Sequence, residues 1–286
     1  NAHGTAPGIA LNIRGTPCYA LPGVPFEMQA MFAAEVEPEL RTAAAGRVLA
    51  IRTLHCFGMG ESDLGQRIRE LMADGRNPYV GTSAGMGLVD IRMSAAADGA
   101  AAAARLLDQC EQEIRGRLGG VVFGRDEQTL WSVVGELLVS AGRTLSTAES
   151  CTGGLIGQLL TDTPGSSRYY VGGVVAYANT VKQSLLRVPR DLLERHGAVS
   201  AEVAAAMASG ALHSLKSDYA VAVTGIAGPA GGSAQKPVGL VHIAVAGCGG
   251  QFVRECHFGP DSPRDVIRNR AALTALNLLR LELMGA

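Results

Sequence analysis

The chain has 286 residues, is 47% apolar and 18% charged, and sets 25 Lys and Arg against 26 Asp and Glu for a formal net charge of −1. That apolar content can fill a core, which excludes wholesale disorder, and the length suits two compact units or one and a half. Near-neutral charge argues against a dedicated nucleic-acid or anionic-membrane binder, because both gain from a basic excess, although a local basic patch stays open.

Cys18, Cys56, Cys110, Cys151, Cys248 and Cys256 lie far apart without a C-x-x-C spacing. Neither a disulfide scaffold nor a zinc ribbon is expected, and reduced thiols in a cytoplasmic setting are. No run of about 18 apolar residues occurs, so no membrane span is expected. The sequence opens at Asn1 with neither an initiator Met nor a charged-then-apolar leader.

Turn residues cluster at Gly4-Thr5-Ala6-Pro7-Gly8 and at Leu21-Pro22-Gly23-Val24-Pro25, around short apolar runs at 9–13 and 18–21 that suit strands. A helix is expected from Pro25 or Phe26 through Glu39, with Pro25 in its first turn. Two strands and one helix are too little to enclose a core. Residues 1–47 therefore read as the tail of a domain.

From 48 to 124 the pattern predicts strand 48–56, helix 61–73, strands 79–82 and 87–94, and helix 99–118 with the alanine run Ala100 to Ala104. This is a small α+β unit without an evident catalytic constellation. From 125 to 286 the reading is helix 129–141, strand 144–148, helix 152–161, strand 171–177, helices 180–186, 190–195 and 201–215, strands 219–224, 238–246 and 252–258, and helix 263–283. Alternating strands and helices imply an α/β layered domain, and the final consecutive strands imply an antiparallel part of a mixed sheet.

Polar residues gather at the predicted strand ends. Thr147-Ala148-Glu149-Ser150-Cys151-Thr152-Gly153-Gly154 passes from strand to helix, where glycines allow close approach and free amides attract an anion such as phosphate. Ser150 or Thr152 serves equally as an ordinary helix cap. Thr163-Pro164-Gly165-Ser166-Ser167 precedes the strand ending at Tyr177, and Lys182 follows near a helix start. A serine needs a base, and a lysine whose charge is disfavoured by burial and by a helix N-terminus can be one; a surface lysine beside a turn serine is the plainer alternative.

The glycine-dense loop from Thr224 and Gly225 to Gly239 follows an apolar strand, where open α/β sheets bind ligands, and its amides can form an anion nest or oxyanion hole. Walker A and G-x-G-x-x-G signatures are absent. Arg264 and Arg268 lie one helical turn apart and can reach a phosphate. The six histidines are scattered, so no metal site is expected in the last domain. Cys151 reads as a packed residue, and Trp131 with Val133, Val134, Leu137 and Leu138 reads as core.

The stretches from Thr147 to Gly154, Pro164 to Ser167 and Val175 to Asn179, together with His196-Gly197-Ala198-Val199-Ser200 and Thr224-Gly225-Ile226-Ala227-Gly228-Pro229, resemble the carboxy-terminal domain of the CinA family. Thr5 to Gly8 and Leu21 to Met28 resemble the end of its amino-terminal domain, of molybdopterin-binding type, and the middle segment is similar to its KH-like connector. The resemblance implies three modules, at 1–47, 48–124 and 125–286, the first incomplete. It implies a nicotinamide-nucleotide amidase that hydrolyses nicotinamide mononucleotide (NMN) without a cofactor or metal. A divalent metal would belong only to the ADP-ribose pyrophosphatase activity of a complete amino-terminal domain. The partners implied are the nucleotide substrate and a second copy in a homodimer, with no membrane.

The positions matching the family's functional residues are Ser150, Thr152, Ser167, Tyr177, Lys182, Thr224 and Arg264. The stretch from Gly259 to Arg264 is longer than the family's usual run there, so Arg268 is a substitute for Arg264. Ser167 is expected as nucleophile with Lys182 as base and Tyr177 orienting, and Ser150 is the alternative nucleophile. Otherwise the turn from Ser150 through Thr152 and Gly153 holds the phosphate with Arg264, and the loop of Thr224 and Gly225 supplies donors. The competing readings are the pyrophosphatase, a competence- or damage-related binding protein without catalysis, and a degenerate amidase kept as a scaffold. The acidic residues Glu61 and Asp63 beside Gly58-Met59-Gly60 weigh against RNA binding by the KH-like segment.

Overall fold

Arg14 and Gly15 carry φ of 53° and 86°, and this left-handed two-residue turn closes a hairpin of β1 (Ile9–Ile13) and β2 (Thr16–Ala20). The computed structural model describes every residue except His3, Ala45, Met86 and Ala286. The helix predicted over 25–39 runs further and is not uniform. α1 (Pro25–Met31) passes through a π-helical stretch, Phe32–Val36, into α2 (Glu37–Ala43). Pro38 has no amide hydrogen to give to the preceding turn, so the α-helical ladder cannot continue unbroken there. Ile9, Leu11, Ile13 and Phe26 remain more than half exposed, at 54%, 56%, 54% and 70%, so this segment builds little core of its own.

The middle segment comprises β3 (Arg47–Phe57), α3 (Glu61–Arg67), β4 (Tyr79–Gly85), β5 (Leu88–Asp98), α4 (Ala100–Leu118) and β6 (Val122–Arg125). Its antiparallel sheet has the order β4-β5-β3-β6. One stripe of α4 (Ala103, Leu107, Cys110, Ile114 and Leu118) covers Leu54, Ile91, Met93 and Ala95 of the sheet. β6 lies outside the sequence expectation because four residues are too few to show alternation.

The last segment comprises α5 (Leu130–Ala141), β7 (Leu145–Glu149), α6 (Leu155–Thr161), β8 (Tyr170–Val175), α7 (Asn179–Ser184), α8 (Arg190–His196), α9 (Ala201–Leu215), β9 (Tyr219–Gly225), β10 (Leu240–Gly247), β11 (Gly250–His257) and α10 (Arg264–Met284). It is an α/β layered unit whose five-stranded mixed sheet has the order β11-β10-β9-β7-β8. β7 runs parallel to β8 and β9, and β10 and β11 return antiparallel. On one face, Val134 and Leu138 of α5, Ile156 and Leu160 of α6, and Ile267 and Leu276 of α10 pack on Val221, Val223 and Ile243.

On the other face, Ala204, Ala208 and Ala211 of α9 meet Ala148, Ala222 and Ala244, so small residues on both surfaces bring helix and sheet close together. Gly210 is required where α9 meets the 186 turn, since a Cβ there would overlap the Leu186 carbonyl oxygen. Because β8, β7 and β9 are parallel, their carboxyl ends share one edge of the sheet, the usual place for a ligand in open α/β folds.

Candidate functional site

Ser150 stands one residue past β7. Its amide donates to the Val223 carbonyl at 2.9 Å, which extends the β7–β9 ladder and fixes the backbone at the sheet edge. Lys182, on α7, is 1% exposed. Its Nζ lies 3.2 Å from Ser150 Oγ, 2.7 Å from the Ala176 carbonyl oxygen and 3.3 Å from that of Tyr177. As an ammonium it has a hydrogen for each acceptor. As a neutral amine it still donates to both carbonyls and turns its lone pair toward the serine hydroxyl.

Burial pushes the Lys182 ammonium below the usual lysine range. The expectation that a helix N-terminus adds to this effect is corrected. Lys182 occupies the last turn of the six-residue α7, where the dipole favours a cation, so desolvation is the cause. Burial also pushes the Cys151 thiol up to about 12, which leaves it protonated and unsuited to attack.

The helix expected at 152–161 begins later, at Leu155, because Gly153 and Gly154 have φ of 62° and 93°. The buried Glu149 carboxylate accepts the amides of Gly154 at 3.0 Å, Ile156 at 3.1 Å and Gly157 at 2.9 Å. These donors, expected to be free for phosphate, are therefore already engaged, and neither Ser150 nor Thr152 caps α6. The Thr152 hydroxyl is buried without a partner among the described residues. Its carbonyl accepts from Arg268 Nη2 at 2.7 Å, and a Cβ on Gly153 would lie 3.5 Å from that nitrogen.

Arg264 reaches across the same edge, donating from Nη1 to the Gly228 carbonyl at 2.7 Å and from Nη2 to the Tyr177 hydroxyl at 3.2 Å. Both arginines thus converge here, Arg264 on the rim and Arg268 beneath the 152 turn. Thr224 is buried, and its hydroxyl donates to the Ala198 carbonyl at 2.7 Å, so it holds the 196–200 loop and does not face a ligand as a free donor. Lys236 Nζ clamps that loop through the carbonyls of His196 at 2.6 Å and Val199 at 2.7 Å. Gly225 has a packing role: a Cβ would come 2.6 Å from Val241 Cγ2 and 2.8 Å from the Leu240 carbonyl oxygen.

Ser167 lies elsewhere. It is exposed on the 3-10 turn Ser166–Arg168, which leads into the amino end of β8, whereas Lys182 follows the carboxyl end. Six strand residues at about 3.3 Å each separate the two ends. Within this chain Lys182 meets Ser150, and the expected Ser167–Lys182 pair is not formed.

Two participants were missed by the sequence reading. Glu149 sits inside a quoted motif but shows its role only once α6 folds back on it. His242 pairs across the ladder with Thr224 on one side and Glu255 on the other, so Thr224, His242 and Glu255 form a polar row next to Ser150. Above this row lies an alanine row, Ala148, Ala222 and Ala244. Burial lowers the His242 pKa, and its Nδ1 has no hydrogen-bond partner among the described residues. On β10 the histidine stands among the apolar residues Leu240, Val241, Ile243 and Ala244, so no alternation of polarity marks it in the sequence. Among the described residues no group of three or more His, Cys, Asp or Glu is placed to hold a metal ion.

Residues 127–283 match the profile of the CinA C-terminal domain, and residues 51–124 match that of the damage-inducible protein CinA KH domain. A CinA-like protein of Parasynechococcus marenigrum is 46% identical over 287 residues, which cover 100% of this chain and 68% of that protein. A CinA-like protein of Gloeobacter violaceus is also 46% identical, over 100% of this chain and 67% of its own length. Among solved structures, the competence/damage inducible protein CihA from Agrobacterium tumefaciens is 42% identical with a TM-score of 0.51, covering 55% of this chain and 97% of that one.

Proposed function

The chain belongs to the CinA family, and from that premise and the Ser150–Lys182 contact we propose that its carboxy-terminal domain is an amidohydrolase converting NMN to nicotinate mononucleotide and ammonia. The observation that carries the reading is a buried lysine amine, without a carboxylate partner among the described residues, 3.2 Å from a serine hydroxyl at a sheet edge. Few structural roles call for that pairing, because an unpaired buried ammonium is costly.

In this mechanism Lys182 takes the Ser150 proton as Oγ attacks the carboxamide carbon. The Oγ–C bond forms, and the tetrahedral oxyanion is received by the amide or hydroxyl of Thr152, which donate to no acceptor among the described residues. Lys182 then returns its proton to the departing nitrogen as the C–N bond breaks, releasing ammonia. A water deprotonated by the same amine hydrolyses the ester and restores Ser150. Arg264, with Tyr177 beside it, binds the nucleotide phosphate, since the α6 amides are occupied by Glu149. Arg268 holds the 152 turn in register.

A cytoplasmic setting and a homodimer remain parts of this proposal. Among the described residues no helix is long and apolar enough to cross a membrane. The experiment is ammonia release from NMN by the purified chain. Ser150→Ala and Lys182→Met should each reduce it by on the order of 10³-fold or more, with the folded far-UV spectrum retained, while Ser167→Ala keeps most of it. Loss in Ser167→Ala with activity kept in Ser150→Ala would overturn the assignment of roles, and no release by the parent chain would overturn the activity itself.

A further inference from the structure

Two adjoining cavities run along the seam where the middle sheet meets the carboxy-terminal domain, away from Ser150. The first, of about 510 Å³, is walled by Phe57, Met59, Leu88 and Phe258, with Arg270 and Thr274 of α10 at one side. The second, of about 410 Å³, shares Ala84, Gly85 and Leu88 with it and contains Trp131, the only tryptophan of the chain. Each volume falls in the range of small-molecule sites, about 300–1,000 Å³, and an apolar wall with few polar groups is their usual lining.

The charges along the seam decide the ligand's chemistry. In the second cavity His55 and Asp90 pair with each other at 2.8 Å. In the first, Glu61 accepts from the Thr82 hydroxyl at 3.0 Å. Arg270 has no hydrogen-bond or ion-pair partner among the described residues. A free guanidinium beside an apolar cavity selects an anion, which it binds through two parallel N–H donors, while the aromatic walls select a flat apolar body.

We propose that the first seam cavity is a second ligand site, for a flat aromatic molecule carrying one anionic group at Arg270. The same chemistry is offered by a nucleoside monophosphate and by an aromatic carboxylate. α10 carries Arg264 and Arg268 to the Ser150 site and Arg270 and Thr274 to this one, so a ligand here braces a helix that both sites use.

The test is calorimetric titration of the whole chain with adenosine monophosphate and, separately, with 1-naphthoate, with Trp131 fluorescence recorded in parallel. The parent chain should bind one of them saturably, with a dissociation constant below about 1 mM, and the one that binds assigns the source of the anion. Arg270→Met should weaken binding at least about tenfold. Gly60 has φ −69°, and a Cβ there meets nothing within 4 Å, so Gly60→Leu folds without strain, fills the cavity and abolishes binding. Arg264→Ala should leave it intact. Absence of binding by the parent, binding that survives both Arg270→Met and Gly60→Leu, or loss in Arg264→Ala would each overturn the proposal. Thermal midpoints equal to the parent's establish that the variants fold.

Discussion

Glu149 accepts the Gly157 amide at 2.9 Å, and with the amides of Gly154 and Ile156 this one carboxylate closes the start of α6 from beneath. The site serine is the next residue, so the same contacts that end the strand also fix Ser150. Glu149→Gln keeps the shape but removes the charge from a 1% exposed group and turns an NH2 toward one amide. Charged hydrogen bonds contribute about 1.5–3 kcal/mol each, and the substitution should cost roughly 2–3 kcal/mol overall. Urea unfolding measures it. A midpoint equal to the parent's would mean that the network contributes nothing.

Lys182 couples activity to stability with opposite signs. Its pKa is lowered by burial, so between the folded value and 10.5 the unfolded chain binds more protons, and stability rises with pH across that window. Below the folded value the cost of the buried charge is constant. Lys182→Met should abolish ammonia release and flatten that slope, with stability at neutral pH unchanged or higher by about 1 kcal/mol. In the parent, the turnover rate should climb as pH rises through the lowered lysine pKa. A turnover profile flat up to pH 10 would exclude the amine as base.

His55 ties the middle segment to the last one. Its ring reaches Asp90 Oδ1 at 2.8 Å through Nδ1 and the Asp126 carbonyl at 2.7 Å through Nε2, and it stacks on Phe123. A neutral imidazole donates from one nitrogen only, so both bonds together require the imidazolium. Burial opposes that charge, but the Asp126 carbonyl and the Asp90 carboxylate outweigh it and raise the pKa above 6.5. This stabilisation is fully present below 6.5 and is lost as pH rises through the folded value. Urea unfolding of the parent between about pH 5.5 and 8.5 should show that decline, and His55→Gln should remove it. An unchanged slope in the variant would assign the decline to another group.

Arg264 and Arg268 of α10 should separate kinetically. Arg264 lies on the rim and, among the described residues, hydrogen-bonds a hydroxyl and a carbonyl, so Arg264→Ala should raise KM for NMN about tenfold or more with a smaller change in kcat. Arg268 supports the turn after Ser150, so with Ser150 as the proposed nucleophile Arg268→Ala should lower kcat instead. Steady-state ammonia release resolves the two. Equal effects on KM would remove the distinction between binding and positioning.

Most elements are legible in the sequence because hydrophobic period and turn residues mark them. The exceptions have local causes. β6 is too short to alternate, Gly153 and Gly154 delay α6, and Pro38 interrupts the first long helix. The site was legible in its members more than in its pairing. Ser167 stands nearer to Lys182 in the chain than Ser150 does, yet β8 lies between them and carries them to opposite ends. Ser150 comes to the lysine only through parallel pairing of β7 with β8, a long-range register that no local pattern encodes. The Glu149 and Lys236 anchors were hidden for the same reason, since their partners are backbone groups.

Arg268 and Thr152 are 116 residues apart, and Arg264 meets Tyr177 across 87. Synthesis runs from the amino end, so Ser150 and Lys182 leave the ribosome long before the helix that completes their surroundings. Until α10 docks, the nascent polypeptide carries Ser150 and Lys182 without Arg264 and Arg268 beside them. Completion of the surroundings of Ser150 and Lys182 is thereby tied to the synthesis and docking of α10.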